Sequence, residues 1–227
     1  MTTDQLNERR IIDSWIRNAS AWTTALREGR IETRTLVTDP AVVDVIASLA
    51  PESVLDIGCG EGWLARTLAR RGIRVAGVDA VPDLVGSAQK AGGGAFGVYS
   101  FDEIASGQLK RTADVAVCNF SLLGKESVDR LVAALPSLLT ARGLVVVQTL
   151  HPFIECGDAP YECGWREGSW AGLGRSFSLP PPWYFRTIEA WTTLFHGSGL
   201  RLLRIYEPLD ARTGKPASIL FVASAFA

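Results

Sequence analysis

Apolar residues recur along this chain in two alternating periods. Near the N-terminus Ile12, Trp15, Ile16, Ala19 and Trp22 repeat at helical spacing with arginines opposite, which predicts an amphipathic helix. Asp39-Pro40 predicts the start of a second helix running to Leu49, with Asp39 as its cap and Pro40 in its first turn. From Val54 onward, short β-rich runs take turns with helical spacing. The runs lie at 54–57, 72–79, 95–99 and 113–118, and such alternation predicts a parallel sheet covered by helices. The helix after the fourth run carries Val128, Leu131, Val132, Leu135 and Leu139 on one side, and Pro136 within it should kink or restart it. Residues 143–150 form a continuous β-branched run, the pattern of a strand buried on both faces.

Past that fifth strand the texture changes. Residues 151–182 interleave Trp165, Trp170 and Phe177 with Gly157, Gly164, Gly168, Gly172 and Gly174, then close on Pro180-Pro181-Pro182. A loop this long inside a compact domain is usually functional, and its aromatics argue against disorder. A helix over 187–197 follows, and strands at 200–206 and 217–226 fit an antiparallel hairpin at the sheet edge. The organisation expected is an N-terminal helical cap (1–50) and one α/β domain (51–227) with an aromatic insert at 151–185.

The most informative stretch is Asp56-Ile57-Gly58-Cys59-Gly60-Glu61-Gly62-Trp63. Three glycines at alternate positions after a strand make a turn bare enough for a ligand to touch the backbone, because glycine permits positive φ and carries no Cβ. The helix behind it presents unpaired N–H groups. The dinucleotide fingerprint G-x-G-x-x-G fits poorly, since Trp63 stands where its third glycine would fall. Asp56, still on the strand end, is badly placed beside a diphosphate and well placed to accept bonds from a cationic ligand. Asp79 closes the second strand in the crevice where open α/β sheets bind ligands, and from there can accept both hydroxyls of a ribose. The alternative for Asp79 is capping the next helix.

These residues resemble the class I S-adenosylmethionine-dependent methyltransferases, whose first motif reads acid-x-G-x-G-x-G and is matched by Asp56 through Gly62 at every defined position. The resemblance covers roughly 50–227. It implies a doubly wound, Rossmann-like α/β fold with a seven-stranded, mostly parallel sheet and an antiparallel terminal hairpin. It implies S-adenosylmethionine as cofactor and S-adenosylhomocysteine as product, cradled by Gly58, Cys59 and Gly60, with Asp79 on the ribose and Ala80 opening the loop past it. The place of the family's adenine-binding acid falls here on Ser100 and Phe101, or on Asp102 in a shifted register. Asn119 and Phe120 occupy the fourth motif, where strand-end residues line the sulfonium and the substrate; a turn role is the alternative for Asn119. Arg34 is in reach of the methionine carboxylate through a bidentate bond, with a surface role as its alternative.

The chain further resembles small-molecule methyltransferases acting on quinones and other metabolites, in which a strand-five His-Pro precedes an aromatic insert and a hydrophobic-Arg-Thr helix start. Here these are His151-Pro152 and Tyr184-Phe185-Arg186-Thr187. The expected substrate pocket is Trp165, Trp170, Tyr184 and Arg186, with docking of the insert as the other role for Arg186. His151 is the candidate general base; tying the insert to the sheet is its other reading. The implied activity is methyl transfer to oxygen, nitrogen or carbon of a small, partly apolar metabolite. A non-catalytic binder of the same cofactor and an NAD-dependent oxidoreductase remain as alternatives.

Bulk properties narrow the partners. With 23 basic and 24 acidic residues the formal net charge is −1, which lacks the clustered basic face of a nucleic-acid binder. No apolar stretch reaches the ~18 residues of a membrane span, and the polar N-terminus is unlike a secretory signal, so a cytoplasmic monomer or homodimer is expected. Cys59 belongs to the glycine turn and Cys118 to an apolar strand, while His151, Cys156 and Cys163 lack the paired spacing of structural zinc sites. No metal is expected.

Overall fold

The computed structural model describes residues 7–173 and 176–226. Gly174 of the insert and the first six residues of the expected cap lie outside them. The strands are β1 (Ser53–Ile57), β2 (Arg74–Asp79), β3 (Ala95–Val98), β4 (Ala113–Asn119), β5 (Leu139–Thr149), β6 (Gly164–Arg166), β7 (Trp183–Phe185), β8 (Leu200–Tyr206), β9 (Leu209–Asp210), β10 (Lys215–Pro216) and β11 (Ile219–Ala225). The α-helices are α1 (Glu8–Arg27), α2 (Asp39–Ser48), α3 (Trp63–Ala69), α4 (Pro82–Ala91), α5 (Phe101–Ala105), α6 (Glu126–Ala134), α7 (Pro152–Glu155) and α8 (Ile188–Gly197).

Seven strands form one sheet in the order β3-β2-β1-β4-β5-β11-β8. The first five pair in parallel, and β11 runs antiparallel to both β5 and β8. This is the expected doubly wound α/β sheet. The terminal pair sits as a hairpin with β11 inside and β8 on the edge, and its connection carries the small β9–β10 ribbon. Strand order reverses between β1 and β4, so their carboxyl ends frame the crevice in which such sheets bind ligands.

Both faces of the sheet are covered, which explains the near-continuous apolar strands. On one face Leu55, Ile57 and Val147 pack with Val128, Leu131 and Val132 of α6 and Trp191 and Phe195 of α8. On the other, Val54, Val115 and Val146 meet Val42 and Ile46 of α2 and Leu64 and Leu68 of α3. As Pro136 demanded, α6 stops at Ala134 and passes into a 3-10 turn, Leu135–Leu138.

Two local expectations need correction. Asp39 does not cap α2, because that helix continues directly from a π-helical turn, Arg34–Thr38, and the Asp39 carboxylate instead accepts from Arg34 Nε at 3.0 Å. Nor does α1 bury the whole of its apolar stripe: Ala19 is buried with Trp15 and Trp22 packed against it, but Ile12 and Ile16 are 38% and 49% exposed, while Ser14 and Asn18 are buried. The polar pair faces inward because it satisfies backbone groups of the insert, which would otherwise be buried unpaired. Ser14 Oγ donates to the Leu179 carbonyl at 2.5 Å, and Asn18 holds both the N–H (3.0 Å) and the carbonyl (2.7 Å) of Ser178.

Candidate functional site

The glycine turn is built from three left-handed residues, Gly58, Gly60 and Gly62, with φ of 80°, 55° and 81°. Gly58 and Cys59 donate to the carbonyl of Val78 at 2.7 and 3.0 Å, which ties the turn to the end of β2. A Cβ on Gly58 would stand 2.2 Å from the Cβ of Ser121, so the loop after β4 closes onto the turn only because that position is bare. At Gly60 a Cβ would meet nothing within 4 Å. Its backbone thus faces open space, the cradle expected for a ligand laid against main chain.

That space is a cavity of about 290 Å³ at the carboxyl ends of β1, β2 and β4. Asp56, Gly58, Cys59 and Gly60 line it from β1 and the turn, Asp79 and Ala80 from β2, and Asn119 and Phe120 from β4. Ser100 and Phe101 reach it from the start of α5, and Arg34 from the π-helical turn. All the residues expected around the cofactor are therefore gathered on one cavity. Ser100 is also the N-cap of α5, in a reciprocal capping box with Glu103. Asp79 Oδ2 accepts from Gly60 N–H and Oδ1 from Val81 N–H, both at 2.9 Å, so it joins turn to loop while Val81, not Asp79, stands at the cap position of α4.

Several polar groups here lack partners among the described residues. Asp56 is buried, and burial first, then the charge of Asp79, push its carboxyl up to about 7 against the pull of Arg34. Burial likewise raises Asp79, offset by its backbone bonds, and raises the Cys59 thiol well above its ordinary value, which keeps it neutral. Arg34 Nη2 and Asn119 Oδ1 are buried without a hydrogen-bond partner among the described residues. Unpaired buried groups of this kind cost stability unless a ligand meets them. Phe120 adds backbone strain, with φ of 53° in a non-glycine residue beside the cavity.

Helix α1, part of the expected N-terminal helical cap, roofs the cavity. Glu8, Arg9, Ile11, Ile12, Trp15, Trp22 and Leu26 all line it. The helix is fixed at both ends by carboxylates. Glu8 Oε1 accepts from Lys125 N–H (2.7 Å) and Ser127 N–H (2.9 Å), capping α6, which has no side-chain cap of its own. At the other end Arg27 Nε donates to Glu61 at 3.0 Å, and Arg66 Nη2 holds the same carboxylate at 2.6 and 2.8 Å. The signal missed was Glu61 itself, an acid inside an otherwise bare turn and wholly buried. Arg34 lies between the rings of Trp22 and Trp63, 5.6 and 5.1 Å from their centroids.

The residues expected in the substrate pocket lie elsewhere, because the insert is used to hold the roof. Trp170 packs 5.6 Å from Trp15 and 5.0 Å from Phe177, one layer behind the lining. Trp165 stands edge-on to Tyr184 at 5.7 Å in the β6–β7 ribbon, whose Tyr184 N–H donates to Leu123 at 2.7 Å. Buried Arg186 donates to the carbonyls of Gly124 (2.9 Å) and Lys125 (3.0 Å) and to Asp129 (2.8 Å), the docking alternative. His151 is outside the lining; its Nε2 meets Glu207 at 2.7 Å, tying the end of β5 to the segment after β8. Among the described residues no cluster of metal-binding side chains occurs.

Comparison with known proteins fits this arrangement. A family model described as a methyltransferase domain matches residues 33–205, beginning inside the expected cap. An uncharacterised methyltransferase of Mycobacterium tuberculosis is 30% identical over 153 residues, 66% of this chain and 75% of that protein. A ubiquinone biosynthesis O-methyltransferase of Cupriavidus pinatubonensis is 31% identical over 113 residues, 48% of this chain and 45% of that protein. The fold is shared with the magnesium protoporphyrin IX methyltransferase of Synechocystis, solved with bound S-adenosylhomocysteine (TM-score 0.58, 20% identity, 84% of this chain and 82% of that one). Asp56, Gly60, Arg34 and Asn119 offer the carboxylate, bare backbone and unpaired polar atoms that such a cofactor requires. The chain belongs to the methyltransferase-domain family.

Proposed function

We propose that this cavity binds S-adenosylmethionine at its inner, acidic end and a small, partly apolar metabolite at its outer end. Support comes from one observation above all: a single cavity runs from the glycine turn and the Asp56–Asp79 pair to the apolar surface of Ile11, Ile12, Trp15 and Phe101. In this reading Asp79 accepts the ribose hydroxyls, Asp56 faces the cationic end of the methionine moiety, and the open Nη2 of Arg34 takes its carboxylate. Ser100 and Phe101 border the adenine, and Asn119 and Phe120 the methyl-bearing end.

Bound there, the cofactor would supply an electrophilic sulfonium methyl for direct displacement by a lone pair of the acceptor. The chain's contribution is placement and exclusion of water, which serve a direct displacement well. The roof of α1 with Trp15 and Trp22 provides the exclusion. We assign no step to His151, which is not among the lining residues and whose Nε2 meets Glu207. The Cupriavidus and Synechocystis proteins are both named for small molecules, which favours a metabolite as acceptor.

Incubation with methyl-labelled S-adenosylmethionine and fractionated metabolite, protein and RNA extracts tests this. Label should enter the metabolite fraction. Label confined to protein or RNA would overturn the small-molecule reading.

A further inference from the structure

The outer half of the cavity holds one charge that nothing in the described chain balances. Its apolar wall is Ile12, Trp15 and Phe101. Two acids border it, and both are engaged: Glu8 with the N–H groups of Lys125 and Ser127, and Asp102 with Arg130 at 2.7 Å. The neighbouring cations are engaged as well, Arg34 with Asp39, and Arg27 with Glu61. Arg9, in the first turn of α1, lines the cavity, and its side chain makes neither a hydrogen bond nor an ion pair among the described residues.

We propose that Arg9 determines specificity for the methyl acceptor and that this acceptor is a small aromatic or similarly flat molecule bearing a carboxylate. The inference rests on the outer end being the acceptor site, as proposed above. Its physical basis is charge and shape. Ile12, Trp15 and Phe101, which line the same cavity, offer apolar surface to a flat body. A guanidinium at the cavity's lip, with all its donors open, matches a carboxylate in bidentate fashion. Glu8 does not compete for Arg9, because its carboxylate is committed to the start of α6. A neutral analogue would leave Arg9 solvated as it is in the free protein, and would gain only the apolar contact.

The test uses acids and their amides as matched probes, 4-hydroxybenzoate with 4-hydroxybenzamide and indole-3-acetate with indole-3-acetamide. Each is titrated calorimetrically into the full chain saturated with S-adenosylhomocysteine. At least one acid should bind about tenfold or more tightly than its amide at low salt, with the gap narrowing as ionic strength rises. Arg9→Ala should abolish the gap, and Arg9→Lys should restore part of it. Equal binding of acid and amide, binding of no acid, or a gap that survives Arg9→Ala overturns the proposal. S-adenosylhomocysteine is titrated first: if it binds and no acid preference is seen, only the assignment of Arg9 falls. If it does not bind, the cofactor reading falls too.

Discussion

Asp56 carries an unusual load for a single residue. It is buried beside a second acid, and its carboxyl is held near 7 by that burial and by Asp79, so the free protein takes up a proton there in the neutral range. A cationic ligand needs the ionised form, so cofactor affinity should rise as pH increases through about 7 and level off above it. For stability the sign is opposite. The folded-state value lies above the ordinary 3.8, so the native state binds the extra proton, and the free protein loses stability between about pH 4 and 7. Asp56→Asn should therefore raise the melting temperature of the cofactor-free protein at pH 8, by roughly 1–4 kcal/mol of stability, and change it little at pH 4. The same variant should weaken S-adenosylhomocysteine at least tenfold and flatten the pH dependence, as read by calorimetry.

The glycines divide by what surrounds them. Gly60→Ala meets only the strain of a left-handed alanine, roughly 1–2 kcal/mol, and should fold while losing cofactor affinity, because the new methyl enters open cavity. Gly58→Ala also collides with Ser121 and should unfold at distinctly lower urea. Asp56, the three glycines and Asp79 were readable in the sequence because the end of a strand fixes where the residues just past it must lie. Trp15, Trp22 and Glu8 were not, since helical spacing says which side of α1 is apolar and not what that side will cover.

At the level of elements, α1 is a roof held by polar staples. Glu61→Gln would leave Arg27 and Arg66 without their shared, buried carboxylate, and should cost roughly 2–3 kcal/mol in denaturant unfolding, with loss of cofactor binding because the glycine turn loosens with it. Asn18→Ala removes the clamp on Ser178. It should speed proteolytic nicking within the insert several-fold, and cofactor should slow that nicking if α1 and the insert move together. These staples explain why the insert misled: its aromatics signal a covered site, and in the fold they support the cover from behind, as Trp170 does against Trp15. His151 and Arg186 stand at strand and helix ends where catalytic groups often lie, and both are used as ties.

Across the whole molecule, the sheet was legible because strand and helix periods alternate from Val54 to Thr149, and that alternation admits few topologies. The position of β11 inside β8 was not, since two late strands read alike in either order. The strand reversal between β1 and β4 then brings Asp56 and Asn119 to one crevice and leaves α1 to close it. Calorimetric titration of S-adenosylhomocysteine into the full chain and into an Asp79→Ala variant, with NAD as the competing ligand, tests that assembly most directly. A single site is expected in the wild-type chain, at least tenfold weaker in the variant, with NAD binding far more weakly than S-adenosylhomocysteine. An affinity unchanged by Asp79→Ala, or NAD bound the more tightly, would contradict the assignment of this crevice to the methyl donor.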